Sequence, residues 1–171
     1  MIYTLDKWKP NQHRRGNVVL TGGFFDPCHT GHINLLDYAY TRICYDMSVL
    51  VIAINSDEAT IQKKGYCLLP FEQRAEIIER IIACEYGPSV HIVKNDHLDM
   101  IQVIKKIRPN FYAKGGDRTC DNMLQPEVDL CASIGCEIIY GVGGYDKAGS
   151  SSDFFKKAMK QYHESLCAKQ E

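Results

Sequence analysis

Residues 22–32 read Gly-Gly-Phe-Phe-Asp-Pro-Cys-His-Thr-Gly-His, which sets His29 and His32 three positions apart around Gly31. A β-rich run, residues 17–21, precedes this segment, and apolar residues at helical spacing, residues 33–39, follow it. The histidines therefore stand at the mouth of a helix that leaves a strand. A helix start offers unpaired backbone N–H groups and the positive end of the macrodipole, both of which favour an anion. Imidazoles three apart share one side of a helical turn and donate hydrogen bonds to phosphate oxygens. Gly22, Gly23 and Gly31 lack a Cβ and let a phosphorylated ligand approach the backbone closely. The chemistry implied is phosphate binding. Cys28 reads as the occupant of a variable slot in this loop, with a reactive thiol as the alternative.

Two alternating periodicities must position that loop. Strand-like runs fall at residues 17–21, 48–54, 89–93, 110–113 and 136–140. Between them come helical stripes: residues 33–39; Phe71, Ala75, Ile78 and Ile82 after Pro70; Leu98, Ile101, Ile104 and Ile107; and residues 127–134. A last helix over residues 150–162 opens on the capping pattern Ser150-x-x-Asp153. Parallel strands need crossover helices, so this order predicts an α/β fold, a Rossmann-like, mainly parallel five-stranded sheet with helices on both faces. Residues 1–16 read as an N-terminal leader and residues 17–171 as a single domain. Ligands of such sheets sit beyond the carboxyl ends of the strands, which directs attention to the loops at 22–32, 55–65, 114–118 and 141–150.

Composition narrows the function further. The chain has 171 residues, with 20 Lys plus Arg against 21 Asp plus Glu, so no basic excess is available to neutralise a run of nucleic-acid phosphates. The longest aliphatic stretch, residues 49–54, is too short to cross a bilayer, and the leader lacks the apolar core of a signal peptide. A cytoplasmic protein with no nucleic-acid and no membrane partner is expected. The eight cysteines show no C-x-x-C pair and read as reduced, small apolar residues. No protein metal site can be assigned.

These residues carry a resemblance. Gly23-x-Phe25-Asp26-Pro27-x-His29-x-Gly31-His32 resembles the signature of the H-x-G-H nucleotidyltransferase superfamily, and further positions extend the likeness from Asn17 to about Lys157. Asn55-Ser56-Asp57-Glu58, Lys63-Lys64 and Phe71-Glu72-Gln73-Arg74 are similar to the lysine-loop and arginine-helix segments of the glycerol-3-phosphate cytidylyltransferase and heptose-phosphate adenylyltransferase branch. Lys114-Gly115-Gly116-Asp117 resembles the K-G-G-D run of the heptose-phosphate enzymes, and Ser150-Ser151-Ser152 the serine triplet that opens the last helix. Where several relatives carry a basic residue before that triplet, this chain offers only Lys147.

The resemblance implies transfer of AMP or CMP from an NTP to a sugar or polyol phosphate with release of pyrophosphate, ATP and a heptose-phosphate-like acceptor being slightly favoured. A cofactor-precursor acceptor and a non-catalytic nucleotide-binding protein are the alternatives. It implies catalytic roles for His29, His32 and Lys63. Nucleotide binding falls to Gly23, Phe24, Phe25, Gly31, Lys114, Gly116, Asp117, Ser151 and Ser152, and acceptor binding to Asp26, Lys64 and Arg74. For Arg74 a surface salt bridge is the competing role. Magnesium is implied as an ion carried on the NTP phosphates, and a homodimer is expected.

Overall fold

The computed structural model of this chain describes residues 2–9, 16–44, 48–86, 89–116, 118–144 and 150–167. The chain order is β1 (Ile2–Thr4), β2 (Val18–Gly23), α1 (Thr30–Tyr38), β3 (Val49–Asn55), α2 (Asp57–Lys64), α3 (Phe71–Tyr86), β4 (Val90–Asn95), α4 (Ile101–Ile107), β5 (Phe111–Gly115), α5 (Gln125–Ile134), β6 (Glu137–Val142) and α6 (Ser151–Cys167). A π-helical turn, Ala39–Ile43, prolongs α1.

The strands form one six-stranded sheet in the order β1-β4-β3-β2-β5-β6, and every pair is parallel. All seven residues of β3 are buried, as a central strand covered on both faces requires. On one face Leu35 and Leu36 of α1 and Ala75, Ile78 and Ile82 of α3 pack against Leu50, Ile52 and Ile54. On the other, Val103, Ile104 and Ile107 of α4 and Cys131 of α5 pack against Val51, Ala53 and Val93. The chain reverses its winding between β2 and β5, and such a switch point opens a crevice at the carboxyl ends of those strands.

Two elements differ from the sequence expectation. The sheet has a sixth strand, β1, drawn from the expected leader; Ile2, Tyr3 and Thr4 pair with Ile92, Val93 and Lys94. Behind it Trp8 is 1% exposed and donates from Nε1 to Nδ1 of His91 at 3.1 Å, so the leader closes one edge of the core. The expected 55–65 loop is mostly helix α2. Ser56 caps it through Oγ, which accepts from the N–H of Ala59 at 3.2 Å, and Gly65 ends it in a left-handed conformation at φ 83°.

Trp8→Ala should lower unfolding stability by about 3–5 kcal/mol, the usual cost of a large side chain lost from a core. Because Trp8 is the chain's one tryptophan, its blue-shifted emission should report docking of the segment during denaturant titration. An exposed, red-shifted emission in the native protein would contradict the packing.

Candidate active site

The site begins with the local folding of the two histidines. His29 is the N-cap of α1: its Nδ1 accepts from the N–H of Gly31 at 3.1 Å. His32, one turn on, accepts through Nδ1 from the N–H of His29 at 3.3 Å. A Cβ on residue 31 would lie 3.0 Å from Cε1 of His29, so glycine leaves room for that ring to fold over the helix start. A nitrogen that accepts from a backbone N–H carries no hydrogen, so each neutral ring holds its proton on Nε2. The rings lie 3.9 Å apart, and Phe25 backs His32 at 4.7 Å. Burial, then the neighbouring His29 and then Lys64, lowers the pKa of His32 from 6.5 to about 3. His32 therefore acts as an uncharged donor at neutral pH.

The two lysines at the end of α2 differ. Lys64 Nζ donates to the backbone carbonyl of Asp26 at 2.8 Å and lies 5.3 Å from the Phe24 ring centre. Its pKa is lowered, mainly by burial. Lys63 is exposed and lines the same cleft as the histidines. It is the more mobile point charge, suited to meeting a phosphate.

Asp26 and Arg74 lie beneath the cleft. Asp26 is fully buried, its carboxylate accepting from the N–H groups of Leu68 and Leu69, each at 2.9 Å. Arg74 is 0% exposed. Its guanidinium donates to the carbonyls of Phe24 (2.7 Å), Asn55 (2.8 Å) and Leu69 (2.8 Å) and to the carboxylate of Asp57 (2.6 Å). The expected acceptor-binding roles are thus corrected: both side chains are spent on joining loops, and neither lines the cleft. Phe25 is corrected likewise. It is 1% exposed, with φ 52°, and supports His32 from the core instead of touching the cleft.

Across the crevice, Lys114 at the end of β5 donates from Nζ to the hydroxyl of Tyr112 and lies 3.6 Å from Glu127. Glu127 is 3% exposed and also accepts from the N–H of Met100 at 2.9 Å. Burial and then Glu127 raise the pKa of Tyr112 well above 10.0, so its hydroxyl stays protonated. The serine triplet closes the cleft from above. Ser150 and Asp153 cap α6 reciprocally, Oγ donating to the carboxylate at 2.7 Å and accepting from the Asp153 N–H at 3.2 Å. Ser151 Oγ donates to the carbonyl of Pro27 at 2.9 Å, pinning the α6 N-terminus beside the histidine loop.

One cleft of about 380 Å³ gathers His29, His32, Lys63, Lys64, Lys114, Ser151 and Ser152, together with Gly23, Phe24, Gly31 and Gly116. Asp117 and Lys147 lie outside the described residues. The cleft also contains residues to which the sequence reading gave no individual role: Leu98, Met100, Arg118, Met123, Leu124 and Glu127. Glu127 stood in an amphipathic helix without any motif; its position two residues into the first turn after a long connection was the only signal. The Cys28 thiol is pushed up to about 11 by burial, which favours slot filling over reactivity. Among the described residues no three His, Cys, Asp or Glu side chains gather as metal ligands, and no helix is long and apolar enough to cross a membrane.

Residues 20–161 match the family model described as cytidylyltransferase-like. The chain belongs to the cytidylyltransferase-like family of nucleotidyltransferases. Two curated relatives bear the name bifunctional protein HldE. The one from Koribacter versatilis is 31% identical over 149 residues, covering 86% of this chain and 26% of that protein. The one from Geobacter sulfurreducens is 32% identical over 149 residues, covering 86% and 28%. This cytidylyltransferase-like chain thus spans about a quarter of their length. Among solved structures, a lipopolysaccharide core biosynthesis protein from Thermoplasma volcanium shares the fold with TM-score 0.57 at 20% identity, covering 77% of this chain and 99% of that one. A protein of unknown function from Archaeoglobus fulgidus does so with TM-score 0.59 at 23% identity, covering 77% and 93%.

Two predictions follow from the loop-joining and capping contacts. Arg74→Ala strands three carbonyls and the Asp57 carboxylate and should lower unfolding stability by about 3–5 kcal/mol, with Arg74→Lys restoring only part. A normal unfolding midpoint combined with a raised acceptor KM would instead make Arg74 a ligand of the acceptor. For His32, the folded pKa of about 3 lies below the ordinary 6.5. The folded state therefore holds fewer protons, and the stability from His32 is complete above pH ~6.5 and lost as pH falls towards 3. In His32→Asn, whose Oδ1 can replace Nδ1 as acceptor, thermal unfolding should depend less on pH between 7.5 and 4.5 than in the parent. Identical pH dependence would overturn the assignment.

Proposed function

We propose that this protein transfers AMP or CMP from an NTP to a sugar or polyol phosphate and releases pyrophosphate, with ATP and a heptose-phosphate-like acceptor favoured. The observation that carries the reading is the convergence of two Nε2–H imidazoles, an exposed Lys63 and a serine-capped helix N-terminus on one cleft. Each is a device for a different part of a polyphosphate.

An oxygen of the acceptor phosphate, already ionised at neutral pH, attacks the α-phosphorus. The bond from that phosphorus to the pyrophosphate oxygen breaks, and pyrophosphate leaves with the electron pair. No strong base is required, so catalysis rests on positioning and on cancelling charge as it builds. His29 and His32 donate from Nε2 to the phosphate oxygens, and His32, with its pKa lowered to about 3, does so as a neutral ring. Lys63 bridges the acceptor phosphate and the α-phosphate. Ser151, Ser152 and the amide end of α6 receive the β- and γ-phosphates. Magnesium belongs on those phosphates. Asp26, with both carboxylate oxygens occupied by backbone N–H groups, is unsuited to hold it.

The test is pyrophosphate release from ATP and from CTP with magnesium, against heptose 1-phosphate, glycerol 3-phosphate, phosphocholine, nicotinamide mononucleotide and phosphopantetheine. One NTP and one acceptor should release pyrophosphate together. In that pair His32→Ala should lower kcat by about 10²–10³-fold, the cost of losing one donor to a developing charge. Lys63→Ala should raise the acceptor KM more than the NTP KM. Turnover unchanged in His32→Ala would sink the mechanism.

A further inference from the structure

The cleft has two unlike halves. The half on the α1 and α6 side carries the histidines and serines; the half on the α4 and α5 side is walled by Leu98, Met100, Met123 and Leu124. Leu98 is 45% exposed and Leu124 53% exposed, so two leucines of this wall stay open to solvent. A ligand pocket with an apolar wall and few polar groups binds an apolar part of its ligand.

These walls stand on fixed backbone. Asn55 at the end of β3 donates from Nδ2 to the carbonyl of His97 at 2.8 Å, and the His97 N–H donates to Asn95 Oδ1 at 3.1 Å; together these hold the turn that presents Leu98. Met100 is held by its N–H to Glu127, and its Cε would lie 2.9 Å from a Cβ on residue 22, so Gly22 makes the floor against which the methionine rests. Before Met123 and Leu124, a one-turn 3₁₀ helix, Cys120–Asn122, is closed by a reciprocal cap between Thr119 and Asn122. The polar side chains of this half are charged. Lys114 and Glu127 are engaged with each other and with Tyr112, and Arg118 stands at the rim. Among the described residues lining this half, Asn55 brings an amide, but its Nδ2 is spent on the His97 carbonyl, and no hydroxyl side chain is present to meet the hydroxyls of a bare polyol.

We infer that this bay receives the non-phosphate end of the acceptor, and that the acceptor is a sugar or polyol phosphate bearing an apolar substituent such as an alkyl, acyl or deoxy group. The inference rests on the nucleotidyl-transfer reading above. The Asn55–His97 bond carries the assignment to the acceptor, since it sets the Leu98 turn beside the end of β3, where the helix bearing Lys63 begins. A phosphate on Lys63 and an apolar group on Leu98 are thus compatible with one small molecule.

The experiment uses n-alkyl phosphates from methyl to hexyl, with glycerol 3-phosphate as the hydroxylated comparison. Two readouts are taken on the full chain: pyrophosphate release at saturating NTP, and ¹³C-methyl NMR of Met100 and Met123 titrated with the same phosphates beside a non-hydrolysable NTP. Each methylene that enters the bay should raise acceptor affinity about fourfold, with the Met100 and Met123 methyl signals shifting in step. Leu98→Asn and Leu124→Asn should flatten that dependence, lowering use of hexyl phosphate more than use of methyl phosphate. Pyrophosphate release with no dependence on chain length would overturn the bay and leave the transfer reaction standing. A chain-length dependence in the NMR titration without release from any acceptor would do the reverse. If the leucine variants raise the NTP KM while the alkyl series stays flat, the nucleobase occupies the bay and the inference fails.

Discussion

A single buried guanidinium holds together the half of the cleft that carries the histidines and the α2 lysines. Arg74 sits on α3, yet its hydrogen bonds go to Phe24 at the start of the histidine loop, Asn55 at the end of β3, Asp57 at the start of α2 and Leu69 in the turn before α3. These four segments bring the cleft His29, His32, Lys63 and Lys64, and the guanidinium joins them just beyond Gly23 and Ile54, the last pair of β2 with β3. Planar, fixed donors make such a junction possible, whereas an ammonium would satisfy fewer acceptors and hold them less rigidly. Asp26 repeats the arrangement with opposite polarity, tying the histidine loop to the N–H groups of the same turn.

The histidines show the same economy. Each spends Nδ1 on the backbone of its own helix start, which both completes α1 and fixes which nitrogen bears hydrogen. The low pKa of His32 arises from the burial and the cationic neighbour that the site itself supplies. Lys64 takes a backbone carbonyl and stays near the aromatic rings of Phe24 and Tyr66, whereas Lys63 reaches into the cleft. Both lysines line the cleft, but Lys64 is also bonded to the histidine loop, whereas Lys63 is the one to which the proposed function gives the ligand phosphates.

Much of this was readable in the residues. The histidine loop, the serine cap of α6 and the alternation of strands and helices carry local signatures, and the structure reproduces them. Helix α2 escaped because Asp-Glu-Ala-Thr-Ile-Gln-Lys-Lys has no apolar stripe; it buries only Ala59 and Thr60. Its signal was electrostatic instead, acids in the first turn, bases in the last and Gly65 beyond. Strand β1 is three residues long, too short for alternation to register. The burial of Arg74 depends on acceptors five to fifty positions away, and such long-range pairing has no periodic trace. Leu98 looked like part of an ordinary core stripe until its exposure was known.

Helix α6 has a further consequence. It runs for 17 residues, yet Ser151 alone is buried, while Phe154, Met159, Tyr162 and Leu166 remain exposed. Its attachments are concentrated in the first five residues: the bond from Ser151 to Pro27, the edge contact of Phe154 with His29 and the stack of Phe155 on Tyr66 at 4.0 Å. An isolated helix of this length is marginal in water, so undocking it costs far less than unfolding the sheet beneath. The wall to which the proposed function assigns the β- and γ-phosphates is therefore the least secured part of the site. On the proposed function, nucleotide affinity contains the free energy of ordering that wall, and whatever stabilises the far end of α6 tightens triphosphate binding at the near end without touching it.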